Sequence, residues 1–119
     1  MPKRITTAEP NLRIQIKHGV AIGPGKAALL EAILVSGSIS EASRMMEMSY
    51  RTAWQLVTSM NEHFTDQLVS MTKGGKTGGG AELTALGWDV LRTYRVMEEK
   101  ALHAIEAEIV HLESMLKAS

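Results

Sequence analysis

The chain has no cysteine, so neither a disulfide framework nor a thiolate metal site is open to it. Aromatic residues make up only 4% of its 119 positions, which leaves Leu, Ile, Val, Ala and eight Met to build the core. No apolar run approaches the roughly 20 residues needed to cross a bilayer, and the N-terminus lacks the apolar stretch of a signal peptide. A cytoplasmic protein without membrane association is expected. Charge of one sign is missing too, because 13 Lys and Arg balance 13 Asp and Glu. The balance is uneven along the chain: residues 1–80 hold nine basic against six acidic side chains, and residues 81–119 hold four against seven. A mildly basic body followed by an acidic tail lets one end approach phosphate while the other stays away.

Catalytic and metal chemistry find no footing. The four histidines, His18, His63, His103 and His111, have no spacing that converges on a metal. No Ser–His–Asp arrangement or carboxylate pair stands out. Gly75-Lys76-Thr77 suggests a phosphate loop, but position 70 is Ser70 instead of the required glycine, and Gly78-Gly79-Gly80 follows where a helix should begin. No enzymatic activity, metal or cofactor is expected.

What is present has a definite order. Residues 1–11 are polar and aperiodic, with two prolines, and read as a disordered arm. Leu12 to Lys17 alternates as a half-buried strand. After Gly23-Pro24-Gly25, a helix from Lys26 buries Ala27, Leu30, Ile33 and Leu34 and stops at Gly37. Ser38 and Glu41 form a capping box that opens a short helix, Ile39 to about Met46. Glu47-Met48 makes a tight turn. Ser49 caps a third helix running to about Phe64, with Ala53, Leu56, Val57, Met60 and Phe64 inside. A strand at 68–72, a glycine-rich tip at 74–80 and a return strand at 81–83 form a hairpin. Thr84 then caps a helix reaching about Lys117, on the order of 50 Å long at about 1.5 Å per residue, with Gly87 its only interior breaker.

This order predicts a mostly α fold with a small β hairpin: a winged helix-turn-helix at 12–83 and a long dimerisation helix at 84–119. Ala42 is small where two helices cross, and Met46 and Met48 flank the turn from the core side. The outer face of the third helix carries Ser49, Arg51, Thr52 and Gln55, donors and acceptors suited to base edges and phosphates. Tyr50 stands beside them and is counted with this DNA-facing set, although for Tyr50 and Trp54 packing against wing or core is the more ordinary use. Ser38 and Ser40 open the short helix toward a phosphate, and Lys73 and Lys76 flank the wing tip. Leu102, Ile105, Ile109, Leu112 and Leu116 alternate at spacings of three and four, a coiled-coil seam that calls for a partner, most simply a second copy.

Gly23-Pro24-Gly25-Lys26, Gly37-Ser38-Ile39-Ser40, Met48-Ser49-Tyr50-Arg51 with Ala53-Trp54, and Gly78-Gly79-Gly80-Ala81 with Leu83-Thr84 together resemble the N-terminal domain of the ModE molybdate-responsive transcriptional regulators. A more distant resemblance is to the DNA-binding domain of LysR-type regulators. The similarity covers about residues 12 to 95. It implies a winged helix-turn-helix that dimerises through the long helix and binds double-stranded DNA at a palindromic operator. Ser43 replaces a frequent second alanine, and Gln67 a common proline. Regulators of this type continue into β-barrel domains that bind molybdate. Here helix runs to the end at Ser119, so a form without its own molybdate-sensing domain is expected, any effector or co-regulator being separate. The neutral net charge motivates one alternative: an adaptor that uses the winged domain and helical seam for protein contacts without sequence-specific DNA binding.

Overall fold

The computed structural model describes residues 14–16, 19–72 and 79–118. The arm at 1–11, His18 and the wing tip with Lys73 and Lys76 lie outside the described residues. The elements run β1 (Ile14–Ile16), β2 (Gly19–Ile22), α1 (Pro24–Ser36), α2 (Ile39–Met45), α3 (Tyr50–His63), β3 (Val69–Thr72), β4 (Gly80–Leu83), α4 (Ala85–Ala104) and α5 (Glu106–Ser114).

Local chemistry explains most boundaries. Pro24 fills the first position of α1, where its missing N–H costs nothing. Gly37 ends α1 at φ 79°, in the left-handed region, and its N–H donates to the Ile33 carbonyl at 2.8 Å. The next three helices start alike. Ser38 Oγ accepts from the Glu41 N–H, Ser49 Oγ from the Thr52 N–H, and Thr84 Oγ1 from the Gly87 N–H, each satisfying one orphan donor. The capping box at Ser38 is only half formed. Glu41 pairs with Arg44 instead of reaching back, and the Ser38 N–H donates to Ser36 Oγ at 3.3 Å. Between α2 and α3 the chain turns through Glu47 at φ 56°, a left-handed conformation that costs a non-glycine residue about 1 kcal/mol.

The core gathers around α1. Leu29, Leu30 and Ile33 are fully buried, as are Ala42 of α2, Ala53 and Met60 of α3, Leu68 ahead of the wing, and nearly so Tyr94 of α4. The expected inner face of α1 is therefore shifted: Leu29 and Ala32 are inside and Leu34 is only half-buried. This follows from the position of α1, which packs against α2, α3, α4 and β4 and has too little solvent face for a single apolar stripe. Leu56 and Phe64 of the third-helix set are likewise half-buried at the core margin.

The strand expected near the N-terminus exists, but it has a partner that alternation did not reveal. β2 pairs antiparallel with β1, Ile16 opposite Gly19, with a shift in register between Ile14 and Gln15. In the wing, β3 and β4 pair Val69 with Leu83 and Thr72 with Gly80.

Three latches hold the wing. The Ala81 N–H donates to the Gly37 carbonyl at 2.8 Å. Thr84 Oγ1 donates to the Gln67 carbonyl at 2.7 Å, and the Thr84 N–H to the Leu68 carbonyl at 2.9 Å. Asn61 of α3 makes the third: its Oδ1 accepts from the Leu68 and Val69 N–H groups at 2.9 and 3.2 Å, and its Nδ2 donates to the Val69 carbonyl at 3.2 Å. Asn61→Leu would leave those strand groups without partners, and unpaired buried groups cost about 1–3 kcal/mol each. The expected loss is about 2 kcal/mol in urea unfolding; an unchanged midpoint would remove Asn61 from the list of wing supports.

The C-terminal helix departs most from expectation. It is interrupted at Ile105, φ −111° and ψ 13°, so α4 and α5 are separate segments. The ladder bridges the break, Ile105 N–H to Ala101 carbonyl at 3.1 Å and Ile109 N–H to Ile105 carbonyl at 2.9 Å. Neither Pro nor Gly stands there. α5 closes at Ser114, which puts Leu116 beyond the helix. Gly87, expected as a breaker, lies inside regular helix for a packing reason: a Cβ at this position would sit 2.1 Å from the Leu68 carbonyl oxygen. The architecture is a winged helix-turn-helix followed by a long two-segment helix.

Candidate nucleic-acid interface

The helix-turn-helix presents one face of α3 outward. Ala53, Val57 and Met60 are buried, and at about 100° per residue Arg51, Gln55 and Thr58 fall on the opposite side. Arg51, Thr52 and Gln55 are exposed, as is Ser49 just before the helix. The scaffold behind them is as expected: Ala42 is fully buried at the crossing of α2 and α3, and Met46 and Met48 pack against the core from the turn. Ser43, where an alanine had seemed more natural, is buried and satisfied, its Oγ donating to the Ser40 carbonyl at 2.7 Å.

The candidate residues differ in how free they are. Ser49 and Thr52 are tied together, Ser49 Oγ donating to Thr52 Oγ1 at 2.9 Å while it caps the helix. Ser38 commits its hydroxyl to the Glu41 N–H, and Ser40 stands exposed one turn further. Arg51 pairs with no carboxylate among the described residues, whereas Arg44, Arg92 and Arg95 all do. An exposed guanidinium without a local partner keeps its donor fork available for a planar acceptor.

Tyr50 and Trp54 correct the expectation of core packing; for packing against the wing tip, that segment lies outside the described residues. They are 53% and 42% exposed and stack on each other, centroids 6.4 Å apart and planes 10° apart. They border the face that carries Arg51 and Gln55. Burial left them outside because the α3 positions against α1 and α2 are taken by small and aliphatic side chains.

Two further residues join the elements around this face. Asn61 ties α3 to the wing, and Arg95 ties α4 to α1 through Glu31 while its other nitrogen donates to Glu98 at 2.8 Å. The Arg95–Glu31 pair joins residues 64 positions apart and the Asn61 bonds reach seven and eight residues on, beyond any spacing within one helix; only Arg95–Glu98 follows an i,i+3 spacing.

The exposed apolar residues continue along the C-terminal segments. Ile105, Leu112 and Leu116 are exposed, and Leu102 and Ile109 are half-buried. Val110 and Met115 are exposed as well. α5 has no buried residue. Among the described residues no group of His, Asp or Glu is placed to hold a metal ion, and no described helix is long and apolar enough to cross a membrane.

Comparison with known proteins adds a sequence context. No protein-family profile matches the chain. It is 34% identical over 111 residues to the transcriptional regulator ModE of Haemophilus influenzae, covering 91% of this chain and 44% of that protein. It is 32% identical over 115 residues to the DNA-binding transcriptional dual regulator ModE of Escherichia coli, covering 93% and 44%. It is 37% identical over 104 residues to the molybdenum-pterin-binding protein MopB of Rhodobacter capsulatus, covering 79% and 38%. The chain thus spans less than half the length of these relatives. Among solved structures, ArgP from Mycobacterium tuberculosis superposes with a TM-score of 0.50 at 20% identity, over 70% of this chain and 30% of that one; this likeness concerns the fold. The resemblance to ModE regulators read from the motifs therefore extends over most of the chain.

Proposed function

We propose that a chain so similar to ModE regulators across its winged helix-turn-helix binds double-stranded DNA sequence-specifically, as a homodimer on a two-fold symmetric operator, and regulates transcription. The observation that carries the reading is the outward face of α3: Arg51 and Gln55 stand exposed on a helix held from behind by Ala53, Val57 and Met60. Arg51 supplies two donors to guanine O6 and N7, and Gln55 a donor and an acceptor to adenine. Ser49, Thr52 and Tyr50 flank them at the helix start. Ser38 and Ser40 of the α2 start are assigned to phosphate contact, and Lys73 and Lys76 to phosphate neutralisation. The reading needs no cofactor and no catalytic group.

α5 supports a second copy. A nine-residue helix is marginal alone in water, and among the described residues none of its side chains is fully buried. Leu112 is 60% exposed, and with Ile109 and Leu102 it offers the apolar surface for a symmetric partner. The dimer sets two α3 helices about 34 Å apart, one turn of duplex. Leu112→Glu places a charge from each protomer in that contact. It is expected to raise the dimer dissociation constant at least about 100-fold, unpaired buried charges being strongly unfavourable. Sedimentation equilibrium reads this directly, and a variant as dimeric as the parent would displace the seam.

The adaptor reading differs in salt dependence. A DNA-binding protein releases counterions, and its affinity falls with a logarithmic slope of about −0.9 per phosphate neutralised. Binding that is weak, and equal on all duplexes, with the dimer intact would favour the adaptor.

A further inference from the structure

The stacked pair Tyr50–Trp54 is an apolar surface in a polar setting. Its neighbours on the outer face of α3 are Arg51, Gln55 and Thr58, and the two rings lie at the border of that face, one turn apart. Exposed aromatic rings lose nothing by meeting another apolar group, and stacking has already removed much of their rotational freedom, so little further ordering is needed to use them. The neighbouring Thr58 turns its Oγ1 back onto the main-chain carbonyl of Trp54 at 2.9 Å. The pair is a preformed plate, continuous with the side chains proposed to read bases.

The major groove contains one apolar group at base edges, the C5-methyl of thymine. The polar groups there are hydrogen-bond donors and acceptors, which an aromatic face or edge satisfies poorly, and the C5–H of cytosine offers much less apolar surface than a methyl. We infer that the Tyr50–Trp54 pair is a specificity element that selects a pyrimidine C5-methyl, ordinarily that of thymine, beside the bases read by Arg51 and Gln55. The inference rests on the reading of α3 as the DNA-recognition helix. It assigns to the pair a discrimination that hydrogen bonding from Arg51 and Gln55 does not provide.

The test uses the full chain and a duplex carrying a site selected from genomic DNA, synthesised with thymidine and then with single deoxyuridine replacements across each half-site. Deoxyuridine removes the methyl and leaves pairing intact. Affinity should fall about fourfold per half-site at one or two adjacent positions, the value of one methyl group removed from water. Placing 5-methylcytosine opposite guanine at that position should restore more binding than cytosine does. Trp54→Ala should bind thymidine and deoxyuridine duplexes equally, whereas Trp54→Phe, which keeps an apolar ring, should retain part of the difference. Both side chains are exposed, so each variant should fold, and circular dichroism of each checks this.

Site-specific binding that Arg51→Ala abolishes, but that no deoxyuridine replacement weakens, would overturn the inference and leave the recognition-helix reading in place. The same holds if Trp54→Ala keeps the full thymidine preference, in which case the pair faces away from the bases and serves a protein contact. Absence of any site-specific binding by the folded dimer would overturn both.

Discussion

Gly87→Val is expected to cost about 3 kcal/mol or more of stability, lowering the unfolding midpoint of this 119-residue chain by on the order of 10 °C. Helix propensity alone predicts the opposite sign. Gly in a helix interior is worse than Ala by about 1 kcal/mol, and Gly87 lies in the first turn of α4. The contact decides against propensity. A Cβ at Gly87 would lie 2.1 Å from the Leu68 carbonyl oxygen and 3.0 Å from its carbon, both backbone atoms that no rotamer change can move aside. That carbonyl also accepts from the Thr84 N–H, so displacing it opens the joint between wing and α4. Overpacking commonly costs about 1–3 kcal/mol, and a β-branched side chain against backbone belongs at or above the upper end. Gly25 is the contrast. A Cβ there meets nothing within 4 Å, so Gly25→Ala should be neutral or stabilising by up to about 1 kcal/mol. Thermal unfolding of the two variants beside the parent separates contact from propensity; equal behaviour would mean that the α4 joint is slack.

Arg51→Ala is expected to lower affinity for the selected site by about 1–3 kcal/mol per half-site. For a dimer even the lower figure amounts to roughly 30-fold over two half-sites at about 1.4 kcal/mol per tenfold. Binding to unrelated duplex should change far less, because loss of a base contact removes discrimination, while loss of a phosphate contact weakens all sequences alike. Arg92→Ala serves as the control. Arg92 is also exposed, but it lies on α4 and pairs with Asp89 at 3.3 Å, so its removal should leave sequence preference intact. Competition binding against specific and non-specific duplexes measures both quantities. An unchanged preference in Arg51→Ala would show that α3 is not the reading helix.

The parts legible in the sequence are those made by residues three or four apart. Ser38, Ser49 and Thr84 each cap a helix through a bond three residues on, and Gly37 ends one by its own left-handed conformation. Their signals are local and chemically specific. The small Ala42 at a helix crossing is also a local signal, because the order of elements fixes what it must touch. The features that escaped are set by partners outside the period of their own helix or strand. Gly87 looked like a flaw in a helix because Leu68 is far away in sequence. Asn61 carries no signal within its own helix, because its partners are the backbone groups of Leu68 and Val69. β2 has four residues, Gly19–Ile22, too few for a period to be read.

Two sequence expectations were altered by burial and by helix continuity. The rings of Tyr50 and Trp54 suggested packing, yet the inner positions of α3 were already filled, and the pair stacked on itself outside. The seam from Leu102 to Leu116 has helical spacing throughout, but the break at Ile105 divides it and Leu116 lies past α5. Spacing reports which residues could share a face of an unbroken helix, and no residue at 105 announces the interruption. Leu102, Ile109 and Leu112 remain within helical segments as the surface available to a second copy.

The most direct test of sequence-specific binding by a dimer is selection of fragmented genomic DNA on the purified protein at about 0.15 M salt, near the physiological range in which specific and non-specific binding separate, followed by sequencing of the recovered fragments. Enrichment of a motif with two-fold symmetry and half-sites about 10 base pairs apart, or a multiple of that spacing, is expected, and its loss when the selection is repeated with Arg51→Ala. Recovery of fragments without a shared motif, from protein shown to be folded and dimeric, would contradict sequence-specific binding.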